Sequence, residues 1–175
     1  SLRFWELLMQ ENEEKGISDM KRIYVDEKWC LGCHLCEYNC AFANSTSGKP
    51  NMALALKDLV INPRIRIEQK GNISFAVSCR HCTEPLCVKS CISGALTKEN
   101  GLISIDQNKC VGCFTCIMTC PYGAISVGEN GAVQKCELCT KNKSGTPACV
   151  AGCPNKAIVY EDRDEFSQDK EEKVI

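Results

Sequence analysis

Sixteen cysteines in 175 residues stand in four groups of four, and none lies outside them. The groups are Cys30-x2-Cys33-x2-Cys36-x3-Cys40, Cys79-x2-Cys82-x4-Cys87-x3-Cys91, Cys110-x2-Cys113-x2-Cys116-x3-Cys120 and Cys136-x2-Cys139-x9-Cys149-x3-Cys153. Each ends in C-x3-C, and three are followed, three residues on, by Gly-Ala or Lys-Ala. The hydrophobic share of 44% counts these cysteines; without them it is about 35%, thin for an ordinary core. Such a chain needs staples, and bound metal can serve as one. The metal-free chain is therefore expected to be largely unfolded.

Compartment decides between the possible staples. Ser1 to Lys15 carries only a short apolar stretch and then an acidic one, unlike a secretory signal. No run approaches the length needed to span a bilayer. A cytoplasmic location is expected, and there sixteen cysteines point to metal or redox use rather than disulfides. Net charge is −1, with 21 basic and 22 acidic residues. That balance gives no footprint for nucleic acid or an anionic membrane.

Along the chain, residues 1–20 form an extension in which Leu2, Phe4, Trp5, Leu8 and Met9 could share one face of a short helix. That helix would dock on the protein's own surface or on a partner. Residues 21–160 hold all the cysteines, and 161–175 form a tail with seven acidic and three basic residues. Ile23 to Asp26 reads as a strand; Asn44 to Pro50 reads as a polar loop, followed by helical turns over Met52 to Val60. Hairpins are expected around Gly71-Asn72 and Asn100-Gly101. Gly123 to Val127, leading through Asn130-Gly131 to Ala132-Val133, and Lys156 to Tyr160 repeat the layout of cysteine group, short strand and turn.

Close cysteine spacing lets a tight loop wrap a metal centre. In a cubane [4Fe–4S] cluster three thiolates come from the wrap and the fourth from elsewhere, so sixteen serve four clusters with none left over. Such clusters carry electrons. Structural zinc is the alternative metal; its usual pattern is two C-x2-C pairs across a longer loop, and the fourth group is the one most open to it. His34 and His81 lie inside groups that already have four thiolates. Arg80 could place positive charge near a cluster or make a structural ion pair.

Several stretches resemble a known family word for word. They are Cys79-Arg80-His81-Cys82-Thr83-Glu84-Pro85-Leu86-Cys87-Val88, Cys120-Pro121-Tyr122-Gly123-Ala124 and Thr146-Pro147-Ala148-Cys149-Val150-Ala151-Gly152-Cys153-Pro154. With the order of the groups, they are similar to the four-cluster iron–sulfur subunits of the dimethyl sulfoxide reductase type. The opening Trp29-Cys30-Leu31-Gly32-Cys33-His34-Leu35-Cys36 resembles the small cytoplasmic branch. That branch serves carbon monoxide dehydrogenases, hydrogenases and tungsten enzymes similar to aldehyde oxidoreductases.

The resemblance implies an α+β fold of two bacterial-ferredoxin-like modules with short β-hairpins and small helices, stapled by clusters. The inner module would span about 79–135, and the outer one about 21–78 plus 136–160. The implied ligand sets are Cys30, Cys33, Cys36 with Cys153; Cys136, Cys139, Cys149 with Cys40; Cys79, Cys82, Cys87 with Cys120; and Cys110, Cys113, Cys116 with Cys91. Ala41 and Ile92 stand where the family often has proline, which leaves an N–H that could reach a sulfur. The function implied is that of a non-catalytic subunit carrying four [4Fe–4S] clusters. It would relay electrons between a large catalytic oxidoreductase subunit, tungsten- or molybdenum-pterin by preference, and a further carrier such as ferredoxin or a flavin subunit. Service to carbon monoxide dehydrogenase or hydrogenase, or a free soluble polyferredoxin, are the alternatives.

Overall fold

The structure is a computed structural model describing residues 20–44, 62–128, 130–141 and 144–162. The expected N-terminal helix, the turns over 52–60 and the tail beyond residue 162 lie outside the described residues. The fold is α+β, made of two-stranded sheets and short helices, as the resemblance implied.

In chain order the elements are β1 (Arg22–Val25), α1 (Leu35–Ala43), β2 (Ile65–Lys70), β3 (Ile73–Ser78), α2 (Leu86–Lys89), β4 (Leu96–Glu99), β5 (Leu102–Ile105), α3 (Thr115–Thr119), β6 (Ile125–Val127), β7 (Val133–Lys135), α4 (Ala148–Ala151) and β8 (Ile158–Glu161). Three sheets are sequential hairpins, β2–β3, β4–β5 and β6–β7. At the β4–β5 turn Asn100 and Gly101 both have positive φ, 49° and 78°, the type I′ geometry that matches strand twist. Among the described residues no helix is long and apolar enough to cross a membrane.

The fourth sheet joins the two ends of the cysteine region. β1 pairs antiparallel with β8, setting Ile23 opposite Tyr160 and Val25 opposite Ile158. The Asp26 N–H extends the ladder to the Ala157 carbonyl at 2.9 Å. The β4–β5 hairpin does the same internally, with the Asp106 N–H donating to the Ala95 carbonyl at 2.8 Å. Each aspartate then accepts from the N–H two residues on, Lys28 at 2.9 Å and Asn108 at 3.0 Å. Thus the first and third cysteine groups are entered through the same turn, one closed by a hairpin and the other by a distant strand.

Sulfur sits in both buried cores. One gathers Ile23, Ile65, Ala76, Leu138 and Ile158 around Cys36, Cys40, Cys136 and Cys149. The other gathers Leu96, Ile103, Ile125 and Val133 around Cys87 and Cys116. α1 packs on α4 beside the first core, and α2 packs on α3 beside the second.

The Gly-Ala and Lys-Ala signals have a backbone cause. After Cys91, Cys120 and Cys153 a tight turn returns the N–H of Gly94, Gly123 and Lys156 to the cysteine carbonyl at 3.3, 3.1 and 3.3 Å. Those residues have φ of 64°, 55° and 53°. Lysine in this left-handed region costs roughly 1–2 kcal/mol, partly offset because glycine is freer when unfolded. Lys156→Gly should therefore raise stability by about 0.5–1 kcal/mol, and Gly94→Ala, where a Cβ meets nothing, should lower it by about 1 kcal/mol. Anaerobic urea unfolding of the cluster-loaded protein checks both signs.

Candidate metal centres

The last cysteines of each group ride on or just after a short helix. Cys36 and Cys40 lie on α1, Cys87 on α2, Cys116 on α3 and Cys149 on α4. The first two of each group sit in loops that share one backbone feature. The residue before the second cysteine has positive φ in every group: Gly32 at 64°, His81 at 48°, Gly112 at 68° and Leu138 at 55°. A left-handed residue among right-handed ones turns consecutive N–H groups to one side, making a concavity for negative charge. Glycine advertised it in the first and third groups. Histidine and leucine gave no such signal in the second and fourth.

The tertiary fold brings distant cysteines together. Cys30, Cys33 and Cys36 line one cavity with Cys153, alongside Trp29 and Ile67. Cys149 lies within reach of the charge of Cys136, Cys40, Cys139 and Cys36, and Cys40 within reach of Cys139. Cys79 feels Cys82 and Cys120, and Cys87 feels Cys79 and Cys120. Cys116 feels Cys91 and Cys110, and Cys113 feels Cys91. Among the described residues no three His, Cys, Asp or Glu side chains close on a point the size of a single ion.

These sites suit thiolates bound to iron. Burial pushes the thiols of Cys36 and Cys136 up to about 12 and that of Cys87 up to about 11. It drives Cys40, Cys79, Cys116 and Cys149 the same way. Only strong positive charge can make such thiols thiolates at neutral pH, and iron supplies it. Backbone N–H groups already aim at sulfur: Arg64 to Cys40 Sγ at 3.3 Å, Ala124 to Cys120 Sγ at 3.4 Å and Leu138 to Cys136 Sγ at 3.4 Å. The N–H groups acting on Cys91 belong to Leu96, Ala95 and Ser93, and those on Cys40 to Arg64 and Ile65.

A polar seam runs between the two cores along the outer edge of β5. His81 is fully buried, and its Nδ1 accepts from the Ile103 N–H at 3.0 Å. The ring proton therefore sits on Nε2, a buried atom with no hydrogen-bond partner among the described residues. Burial, then the charges of Lys135 and Arg22, push this histidine down to about 3 and keep it neutral. The ammonium of Lys135, also fully buried, donates to the Ile103 carbonyl and to the Cys136 carbonyl, the latter at 2.7 Å. Glu137 accepts from the Ile105 N–H at 3.2 Å and from Arg64 Nη1 at 2.9 Å. His34 instead lies at the surface, 2.6 Å from Glu37, and Arg80 stacks over the Tyr122 ring at 5.7 Å.

Two cysteines are exposed, Cys33 and Cys113. Trp29, Leu31 and Leu35 stand exposed beside the first in sequence; Val111, Phe114 and Met118 stand so beside the second.

Comparison with known proteins agrees with this chemistry. A family model described as a 4Fe-4S dicluster domain matches residues 72–163. "Electron transport protein HydN" of Escherichia coli (strain K12) is 32% identical over 167 residues, covering 86% of this chain and 93% of HydN. "Probable anaerobic dimethyl sulfoxide reductase chain YnfG" of the same strain is 31% identical over 153 residues, covering 83% of this chain and 75% of YnfG. "Putative oxidoreductase UacF", also from that strain, is 38% identical over 138 residues; the match takes in 79% of this chain but only 21% of UacF.

The thiol shifts carry a pH dependence for the iron-free chain. Against an ordinary value of 9.0, Cys87 is raised to about 11 and Cys36 and Cys136 to about 12. Their contribution to a folded apo state is complete below pH 9.0 and is lost as pH climbs through the raised values. Residual ellipticity of the iron-free protein should fall between about pH 9 and about pH 12, while the loaded protein, its thiolates already ionised, holds its signal. A rise in apo ellipticity over that range would contradict the assignment.

Proposed function

We propose a function from one premise: the chain belongs to the 4Fe-4S dicluster family of ferredoxin-type electron-transport proteins, binds [4Fe–4S] clusters and is itself non-catalytic. Its sixteen cysteines match the need of four clusters. When bound, such clusters supply one-electron carriers. The residues of this chain hold them, space them and tune them.

The ligand sets we propose are Cys30, Cys33, Cys36 and Cys153; Cys40, Cys136, Cys139 and Cys149; Cys79, Cys82, Cys87 and Cys120; and Cys91, Cys110, Cys113 and Cys116. Support comes from the shared cavity of the first set and from the mutual charge reach of the thiols in the others. The first two sets would make an outer module of about 21–78 plus 136–160, the last two an inner module of about 79–135. Their order in space would be the order just given. Cys149 reaches Cys36, Cys136 reaches Cys79, and the Ser90 and Thr119 hydroxyls, 3.0 Å apart, join α2 to α3 between the last two sets.

That order places exposed Cys33 in the first set and exposed Cys113 in the last, each near exposed apolar side chains. This single observation carries the reading of a relay with a contact at each end, one for a large catalytic oxidoreductase subunit and one for ferredoxin or another redox subunit. The resemblance of Trp29 to Cys36 favours a tungsten- or molybdenum-pterin enzyme as the catalytic partner, ahead of carbon monoxide dehydrogenase or hydrogenase. A net charge of −1 offers little steering to a freely diffusing carrier.

Replacing Cys153 by alanine should remove the cluster held by Cys30, Cys33 and Cys36, leaving three of four cluster signals by electron paramagnetic resonance. Loss confined to the cluster of Cys136, Cys139 and Cys149 would refute the pairing. Native purification should recover the chain with a larger subunit containing tungsten or molybdenum. Elution as a small free protein would overturn the subunit role, and nickel in the partner would move it to the alternative enzymes.

A further inference from the structure

We propose that Lys135, buried at the seam between the two cores, raises the reduction potentials of the two middle ligand sets, Cys40/Cys136/Cys139/Cys149 and Cys79/Cys82/Cys87/Cys120. Its side chain is fully buried. Among the described residues its ammonium makes none of the ion pairs to carboxylates; two carbonyls, of Ile103 and Cys136, are its acceptors. An unpaired buried ammonium is expensive unless opposite charge lies near. The opposite charge available is sulfur. Lys135 acts on the thiols of Cys79 and Cys87 in one set and of Cys136 in the other.

Adding one electron to either site adds one negative charge, and a fixed cation between the two favours that addition at both. In a dry interior this effect is large compared with that of a surface lysine. The same ammonium lessens repulsion between neighbouring negative centres. Two other seam charges work against each other: Arg64, whose N–H meets Cys40, is paired with Glu137. The outer sets, holding Cys33 and Cys113, lack a buried lysine of this kind among the described residues. The middle of the relay is thereby made easier to reduce than Lys135's absence would leave it.

A purely structural lysine would only cap the carbonyl of Ile103 at the β5 edge. Lys135→Gln keeps a donor and removes the charge; Lys135→Arg keeps the charge. The test is a redox titration of the full-length, cluster-loaded protein followed by electron paramagnetic resonance, with iron and sulfide counts. Lys135→Gln should shift the reduction equilibrium of two clusters at least tenfold toward the oxidised form, about 59 mV for a one-electron couple, and leave the other two in place. Lys135→Arg should stay closer to the parent. Four loaded clusters with no shift, or an equal shift at all four, overturns the proposal. Should the glutamine variant not load, Lys135→Met, neutral and similar in length, takes its place: the same two clusters should shift toward the oxidised form, and unchanged potentials overturn the proposal. This inference rests on the ligand sets proposed above. Parent protein with fewer than four clusters refutes those sets, whereas four clusters indifferent to charge at the seam refute only the role of Lys135.

Discussion

A thiolate in an apolar interior is costly, and this chain places sulfur at the centre of both its cores. Cys36, Cys40, Cys136 and Cys149 in one core, and Cys87 and Cys116 in the other, are buried among a few isoleucines, leucines and valines. Left to itself each buried thiol keeps its proton, because burial raises Cys36, Cys87 and Cys136 above the ordinary thiol value. Iron reverses that balance, and the reversal is what lets so little aliphatic material hold a fold. Strands of three to six residues and helices of four to nine then suffice, because they need only orient sulfur and N–H groups around a centre that supplies the cohesion.

The second constraint is the free edge of β5. A two-stranded sheet leaves one row of backbone groups unpaired on each strand, and a buried row must find partners. Here the N–H and carbonyl of Ile103 and the N–H of Ile105 are met by His81, Lys135 and Glu137. All three come from the second and fourth cysteine groups or their threshold. One edge therefore joins the two cores and carries charge and polarity to Cys79, Cys87 and Cys136.

Parts of this were legible in the chain. The Asn100-Gly101 and Gly71-Asn72 turns appear where their residue types require them, and the Gly-Ala or Lys-Ala echo after three groups marks a left-handed turn in all three. Ile23 to Asp26 and Ala157 to Tyr160 read as matching strands and do pair. Other features were silent. Leu138 and His81 take a backbone conformation that neither residue type announces, because local propensity there yields to the wrap around sulfur. Nothing about Lys135 in a three-residue strand forecasts full burial, since lysine is almost always at the surface. The N–H donors of Leu96, in β4, and of Arg64, just before β2, act on Cys91 and Cys40, a pairing that local spacing does not announce.

By itself the sequence determined the chemistry. Four cysteine groups with these spacings point to iron–sulfur clusters ahead of zinc, since runs of three close cysteines suit a cubane better than a single ion. Tertiary structure decided which distant sulfurs become neighbours. Cys153 reaches the cavity of Cys30, Cys33 and Cys36 because β8 pairs with β1, and strand pairing across more than a hundred residues leaves no mark in local spacing. It also placed a buried cation at the seam, since burial of a lysine depends on what packs over it from elsewhere in the chain.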